Sequence, residues 1–167
     1  MIRPAQTADA RAIASVHVQA WEETYRGLLP DALIDAQSFD KRLAFWQRLP
    51  EHPDAKRRVF VAAPDAKIVG FASVNLVSAR DASMAQVDSL YVLQAYHGKG
   101  YGRALLSACF AAIQPQGFDR AWIEVLDSNA PARSFYEHLG AELMGEEADP
   151  RGFVHVVYQW PDLRRIT

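Results

Sequence analysis

Apolar positions in this chain follow two rhythms, and the places where one gives way to the other divide it into elements. Met1 to Pro4 predicts a short first strand. Helical spacing then shows at Ile13, Val16 and Ala20, after Thr7 as a cap residue with Asp9 in the following turn, and predicts a helix to about Tyr25. Gly27 and Pro30 break it, and Ser38 opens a second helix in which Leu43, Trp46 and Leu49 recur every three residues until Pro50 and Pro53. Residues 58–63 and 67–77, rich in Val, Ile and Phe and split by Pro64-Asp65, predict an antiparallel hairpin, and 78–83 a polar loop. Val87, Leu90, Tyr91 and Val92 suit a buried strand, and Ala104 to Ile113 returns to helical spacing. Gln116-Gly117 turns the chain into a strand over 120–126, and a helix over 129–139 is stopped by Gly140. The last two strands, 141–146 and 153–160, are joined through Asp149-Pro150-Arg151-Gly152. No repeat, low-complexity tract or linker interrupts this order, which predicts one α/β domain over 1–167, a mixed sheet layered with helices.

Composition narrows the function classes. Of 167 residues half are hydrophobic and 23% charged, as in a globular domain. A net charge of −2 gives no reason to expect nucleic acid or an anionic membrane as partner. The single cysteine, Cys109, falls inside a helical pattern, so no intrachain disulfide can form; it reads as a small buried hydrophobe in a reducing compartment. No signal peptide and no apolar run long enough to cross a membrane are evident, so the expectation is a soluble cytoplasmic protein, with no metal required.

The candidate chemistry lies between the buried strand and the helix after it. Gly98, Gly100 and Gly102 let the backbone turn sharply and leave its N–H groups uncovered, and the positive end of the following helix aims at the same point. Such a junction is an anion site, most often for phosphate. It is not a dinucleotide fingerprint, because the sixth position counted from Gly98 is Arg103 and from Gly100 is Leu105. Nor is it a P-loop, because Lys99 is followed by Gly100 and not by Ser or Thr.

The loop does resemble the acyl-CoA signature R/Q-x-x-G-x-G/A of the GNAT superfamily of N-acetyltransferases. His97-Gly98-Lys99-Gly100-Tyr101-Gly102 matches both required glycines, with His97 where the family has Arg or Gln, and Asp88-Ser89-Leu90-Tyr91-Val92 before it is typical text. A second block, AWIEVLDSNAPARSFYEHLGAE, is similar to the family's strand–Asn–helix segment carrying Phe-Tyr and then Leu-Gly. The resemblance implies a mostly antiparallel α/β sheet splayed between its fourth and fifth strands, with helices on both faces and acetyl-CoA as cosubstrate. Leu90, Tyr91 and Val92 would line the pantetheine and acetyl group with their backbone. His97, Gly98, Lys99, Gly100, Tyr101, Gly102 and Arg103 would cradle the phosphates. Asn129, Ala132 and Phe135 would complete the cofactor site.

For catalysis the resemblance makes Tyr136, seven residues after Asn129 and so two turns along one helix, the proton donor to the departing thiolate. Some family members have a strand-four Glu where this chain has Gln86, which takes no proton, so Asp88, or Glu124 through a chain of waters, is left as base. The acceptor, a small amine or a peptide amine, would meet Trp21, Glu22 and Tyr25. An α-amino group, with pKa near 8, is about a tenth neutral at pH 7 and suits a site without a strong base. The alternatives are a non-catalytic acyl-CoA-binding module and an enzyme acting on a protein amine. Pairing of Phe153 to Trp160 into a homodimer is a further expectation from the family.

Overall fold

The computed structural model describes residues 1–48, 56–77 and 80–166. Leu49, Pro50 and Pro53, expected at the end of the second helix, and Ser78, expected to open a loop, lie outside them. The described chain forms two units. One comprises 1–73 and 89–109, the other 74–88 and 110–167.

In the first unit, strand β1 (Ile2–Pro4) pairs antiparallel with β2 (Arg57–Ala62), Arg3 opposite Val61. β3 (Gly70–Asn75) begins here and the far end of β4 (Met84–Val92) closes the order β1-β2-β3-β4. The expected strand over 67–77 is shorter, because Lys67 to Val69 belong to the turn, where the Val69 amide donates to Ala62 O at 2.9 Å. Helix α1 (Ala10–Tyr25) is preceded by a single 3₁₀ turn over Thr7–Asp9. Thr7 lies inside that turn, not at its cap; the cap position is Gln6, whose amide donates to the Asp9 carboxylate at 2.8 Å, and Asp9 also grips Arg3. A five-residue helix α2 (Asp31–Asp35) fills the Gly27–Ser38 interval; it is too short to carry a period. Ser38 caps α3 (Phe39–Trp46) as expected, its hydroxyl accepting from the Lys41 amide. The core brings Ile13, Ala14, Val16 and Ala20 of α1 together with Trp46, Val59, Val61 and Phe71. Fully burying an Ile, Val or Phe side chain of this group stabilises by about 1.5–3 kcal/mol.

In the second unit, the near end of β4 pairs parallel with β5 (Arg120–Leu126), Met84 opposite Arg120 and Gln86 opposite Trp122. That ladder stops there, although β4 runs on to Val92 and β5 to Leu126. β5 pairs antiparallel with β7 (Val154–Trp160), and β7 with β6 (Glu142–Ala148), across a bulge between Leu143 and Gly145. Helix α5 (Ala130–His138) covers the β7 face that carries Tyr158 and Trp160. The Trp160 ring meets Tyr136 edge-on at 5.7 Å and Phe110 at 5.2 Å, and its N–H donates to Leu139 O. β7 is therefore paired on both sides, and the expected dimer pairing through 153–160 has no open strand edge to use; β6 is the edge. The seven strands make a mixed, mostly antiparallel α/β sheet.

Candidate functional site

The junction after β4 is built by local chemistry. The Leu93 amide donates to Val69 O at 2.9 Å, Gln94 to Tyr96 make one 3₁₀ turn, and the backbone then extends through His97. Gly98 (φ 73°) and Gly100 (φ 80°) occupy the left-handed region, where a Cβ would meet no neighbouring atom. Conformation, not space, therefore requires glycine there. Helix α4 (Tyr101–Ile113) starts three residues earlier than apolar spacing suggests, so Tyr101, Gly102 and Arg103 are its first turn and not loop. The Ala104 amide reaches Gly100 O at 3.0 Å, whereas the amides of Gly98 to Arg103 meet no acceptor among the described residues. A run of unspent donors at the positive end of a helix is what a bridging phosphate needs.

The side chains around this turn do less than their types suggest. His97 Nε2–H donates to Val92 O at 2.8 Å, so the imidazole braces the turn against the end of β4. The Lys99 ammonium lies 4.8 Å from the centre of the Tyr96 ring, and both Lys99 and Arg103 are exposed.

Upstream, Leu90, Tyr91 and Val92 are half-buried on β4. Gly70 on β3 lies against them: a Cβ there would come within 2.9 Å of both Tyr91 O and Val92 Cγ2. The Tyr91 ring is drawn into an aromatic group with His17, Trp21, Phe71 and, through a shared phenol hydrogen bond, Tyr25. His17, Trp21 and Tyr25 are spaced four apart, one face of α1. His17 Nδ1 accepts from Trp46 Nε1 at 3.1 Å. An indole only donates, so this nitrogen carries no proton, and burial with the nearby Arg42 charge lowers the His17 pKa to about 3. Of the acceptor residues expected on α1, Trp21 and Tyr25 join this group. Glu22 does not, because it is spent on Arg26, which Asp31 and Asp35 also hold. Its neighbour Glu23 accepts from the Gln94 amide and ties α1 to the turn after β4. An open groove of about 640 Å³ runs beside that turn, between Ala12, Val16 and Gln19 of α1 and Ile68, Leu93 and Tyr96.

In the second unit, Asn129 caps α5, its Oδ1 accepting from the Ala132 amide at 3.3 Å, with Pro131 in the first turn. Tyr136 is buried between Phe135 and Trp160. Another phenol, Tyr158, is engaged: it donates to Glu137, accepts from Arg133 Nε and titrates above its usual range, through burial first and the Glu137 bond second. Asp88 is half-buried on β4. Glu124 lies 3.5 Å from His155 Nδ1, and Asp149 is equally far from Nε2. Sequence reasoning missed His17, Gly70 and Arg42, whose roles come from contacts with residues distant in the chain.

These features coincide with what comparison finds. The acetyltransferase (GNAT) family profile matches residues 18–141. YuaI, an uncharacterised N-acetyltransferase of Bacillus subtilis (strain 168), is 27% identical over 170 residues, 99% of this chain and 95% of its own. The aminoglycoside N(6')-acetyltransferase type 1 of Stenotrophomonas maltophilia is 34% identical over 122 residues, 70% of this chain and 69% of its own. In fold, the chain is similar to PaiA N-acetyltransferase from Thermoplasma acidophilum in complex with coenzyme A, with a TM-score of 0.77 at 21% identity, covering 96% and 98% of the two chains. The YncA acetyltransferase structure from Salmonella typhimurium with acetyl-CoA gives 0.71 at 23%, covering 98% and 93%. With most of its length matched by the family profile, the chain belongs to the acetyltransferase (GNAT) family, the acetyl-CoA-dependent N-acetyltransferases.

Proposed function

We propose that this chain, acting in the cytoplasm as one catalytic domain over 1–167, moves the acetyl group of acetyl-CoA to a primary amine of a small molecule or peptide by direct attack. The observation that carries this reading is the run of unspent amides from Gly98 to Arg103, which fits the pyrophosphate of CoA. The small-molecule acceptor is supported by the aminoglycoside enzyme among the relatives.

In this reading the backbone of Leu90, Tyr91 and Val92 lines the acyl group, and one N–H there donates to the thioester oxygen as it gains charge. One such donor contributes about 3 kcal/mol of transition-state stabilisation. The neutral amine attacks the carbonyl carbon; the C–N bond forms and the C–S bond breaks. The amine proton leaves through water to Asp88, and Tyr136 gives a proton to the departing sulfur. Asn129 hydrogen-bonds the pantetheine arm, Ala132 and Phe135 pack along it, and Lys99 and Arg103 add charge beside the phosphates. Direct attack is supported by the burial of Cys109, the single cysteine of the chain, inside α4.

The test is release of free thiol from acetyl-CoA with and without a panel of amines. The expected result is amine-dependent release, with kcat reduced about 10- to 100-fold in Tyr136→Phe, at or below the low end of general-acid catalysis. Binding of acetyl-CoA without release on any small amine or peptide would overturn the reading in favour of a non-catalytic binding module.

A further inference from the structure

The guanidinium groups of the first unit differ in how their charge is met. Arg3 is paired with Asp9, and Arg26 with three carboxylates. Arg42, on α3, has no carboxylate partner among the described residues. It donates to Gln37 Oε1 and lies 5.4 Å from the centre of the Trp21 ring. It is also half-buried, and that desolvation lowers its pKa. A partly desolvated cation without a counterion is unfavourable until an anion joins it.

The ring beneath it has the same need. Trp21 Nε1 is buried and finds no hydrogen-bond acceptor among the described residues. A buried donor left unpaired costs about 1–3 kcal/mol. Two adjacent groups that only donate, one of them cationic, call for a ligand bearing paired anionic oxygens. Against the same Trp21 ring stand Tyr25 at 4.4 Å and Tyr91 at 6.3 Å, and Tyr91 belongs to the backbone run assigned to the acyl group. The pair of donors and the acyl-lining strand thus share one aromatic wall.

We infer that Arg42 and the Trp21 indole N–H hold a carboxylate of the acceptor, so that the amine this enzyme acetylates is an amino acid and not a purely cationic amine. The inference rests on the N-acetyltransferase reading and goes beyond it by naming the substrate class. Glu22, the residue that would favour a cationic acceptor, is already spent on Arg26. The aromatic wall suits an amino acid with an apolar or aromatic body.

The experiment compares kcat/KM for amines with and without the carboxylate: L-phenylalanine against phenethylamine for an α-amino acid, and 5-aminopentanoate against pentylamine for an ω-amino acid. The expected result is a preference for the acid of at least about tenfold in one pair, with the pair telling α from ω, as charge-assisted hydrogen bonds contribute. In Arg42→Gln that preference falls by about 10- to 100-fold, mainly through KM, while Arg42→Lys recovers part of it. Trp21→Phe keeps the ring and removes the N–H, and lowers the preference by a smaller factor. Each variant is first shown to keep the wild-type thermal shift with acetyl-CoA, which separates a lost carboxylate contact from a lost fold. Equal or better use of the decarboxylated amine in both pairs, or equal loss on acid and amine in Arg42→Gln, overturns the inference and leaves N-acetylation standing. Acetyl-CoA binding with no turnover of any amine overturns both.

Discussion

At the scale of single residues, His17 shows how tertiary context sets a side chain's chemistry. It lies among Trp46, Phe71 and Tyr91, accepts from the Trp46 indole and is held neutral by burial. Its folded pKa of about 3 is below the unfolded value of 6.5, so below pH 6.5 the unfolded chain takes up a proton that the folded one refuses. Stability is therefore full above pH 6.5 and declines as pH falls through the interval down to about 3, by about 1.4 kcal/mol per unit. Urea titrations at pH 6.5 and 5.0, above the range where carboxylates contribute, should differ by about 2 kcal/mol. His17→Gln keeps an acceptor for the indole and should flatten that slope; an unchanged slope in the variant would assign it elsewhere. Nothing near His17 in the sequence announces this, because Trp46 is 29 residues away. The same distance effect hid Arg42, whereas Gly98 and Gly100 were legible because a left-handed turn writes its own residue type. Glu22 was legible only as a carboxylate, and the Arg26 ion pairs decide what it does.

At the scale of elements, β3 and β4 leave no room for a Cβ where Gly70 meets Tyr91 and Val92. Gly70 does not sit at positive φ, so its constraint is steric. In Gly70→Ala the new methyl must displace backbone and the branched Val92 side chain, an overpacking worth about 1–3 kcal/mol. The displaced backbone is the stretch assigned to the acyl group, so the variant should also raise the Kd for acetyl-CoA; chemical denaturation and ligand titration read the two effects separately. A Gly70→Ala protein with wild-type values for both would show that β4 gives way freely. Element types followed from periodicity for α1, α3, α4 and α5 and for the strands. Boundaries failed where chemistry other than apolar spacing acts. Asp9 and Gln6 start the first helix, α2 has too few residues for a period, and α4 begins inside the glycine loop because Gly100 serves as its cap.

At the scale of the whole molecule, the order of elements along the chain was readable because the breaks carry Gly, Pro or short polar stretches such as Asp127-Ser128-Asn129, and the fold class followed from that order. The two-unit division was not, since β3, β4 and α4 each begin in one unit and end in the other, without any change of composition. Ligand binding should be visible in overall stability. Acetyl-CoA at about 100 times its Kd adds roughly 2.7 kcal/mol, about 2–4 °C in Tm for each kcal/mol in a chain of this size. Acetyl-CoA and CoA should raise Tm, and NAD and ATP should not, since the loop has neither a dinucleotide nor a P-loop spacing; a shift with NAD alone would refute the cradle.

The turn from Gly98 to Arg103 has one more consequence, for how such a protein drifts over generations. Its donors are peptide N–H groups, which every residue but proline supplies. Lys99, Tyr101 and Arg103 are therefore open to wide substitution without erasing the site, whereas Gly98 and Gly100 are closed to nearly all of it by their backbone angles. On the acetyl-CoA reading proposed above, inheritance can thus rewrite most of the letters in this loop and still transmit the same hold on a phosphate.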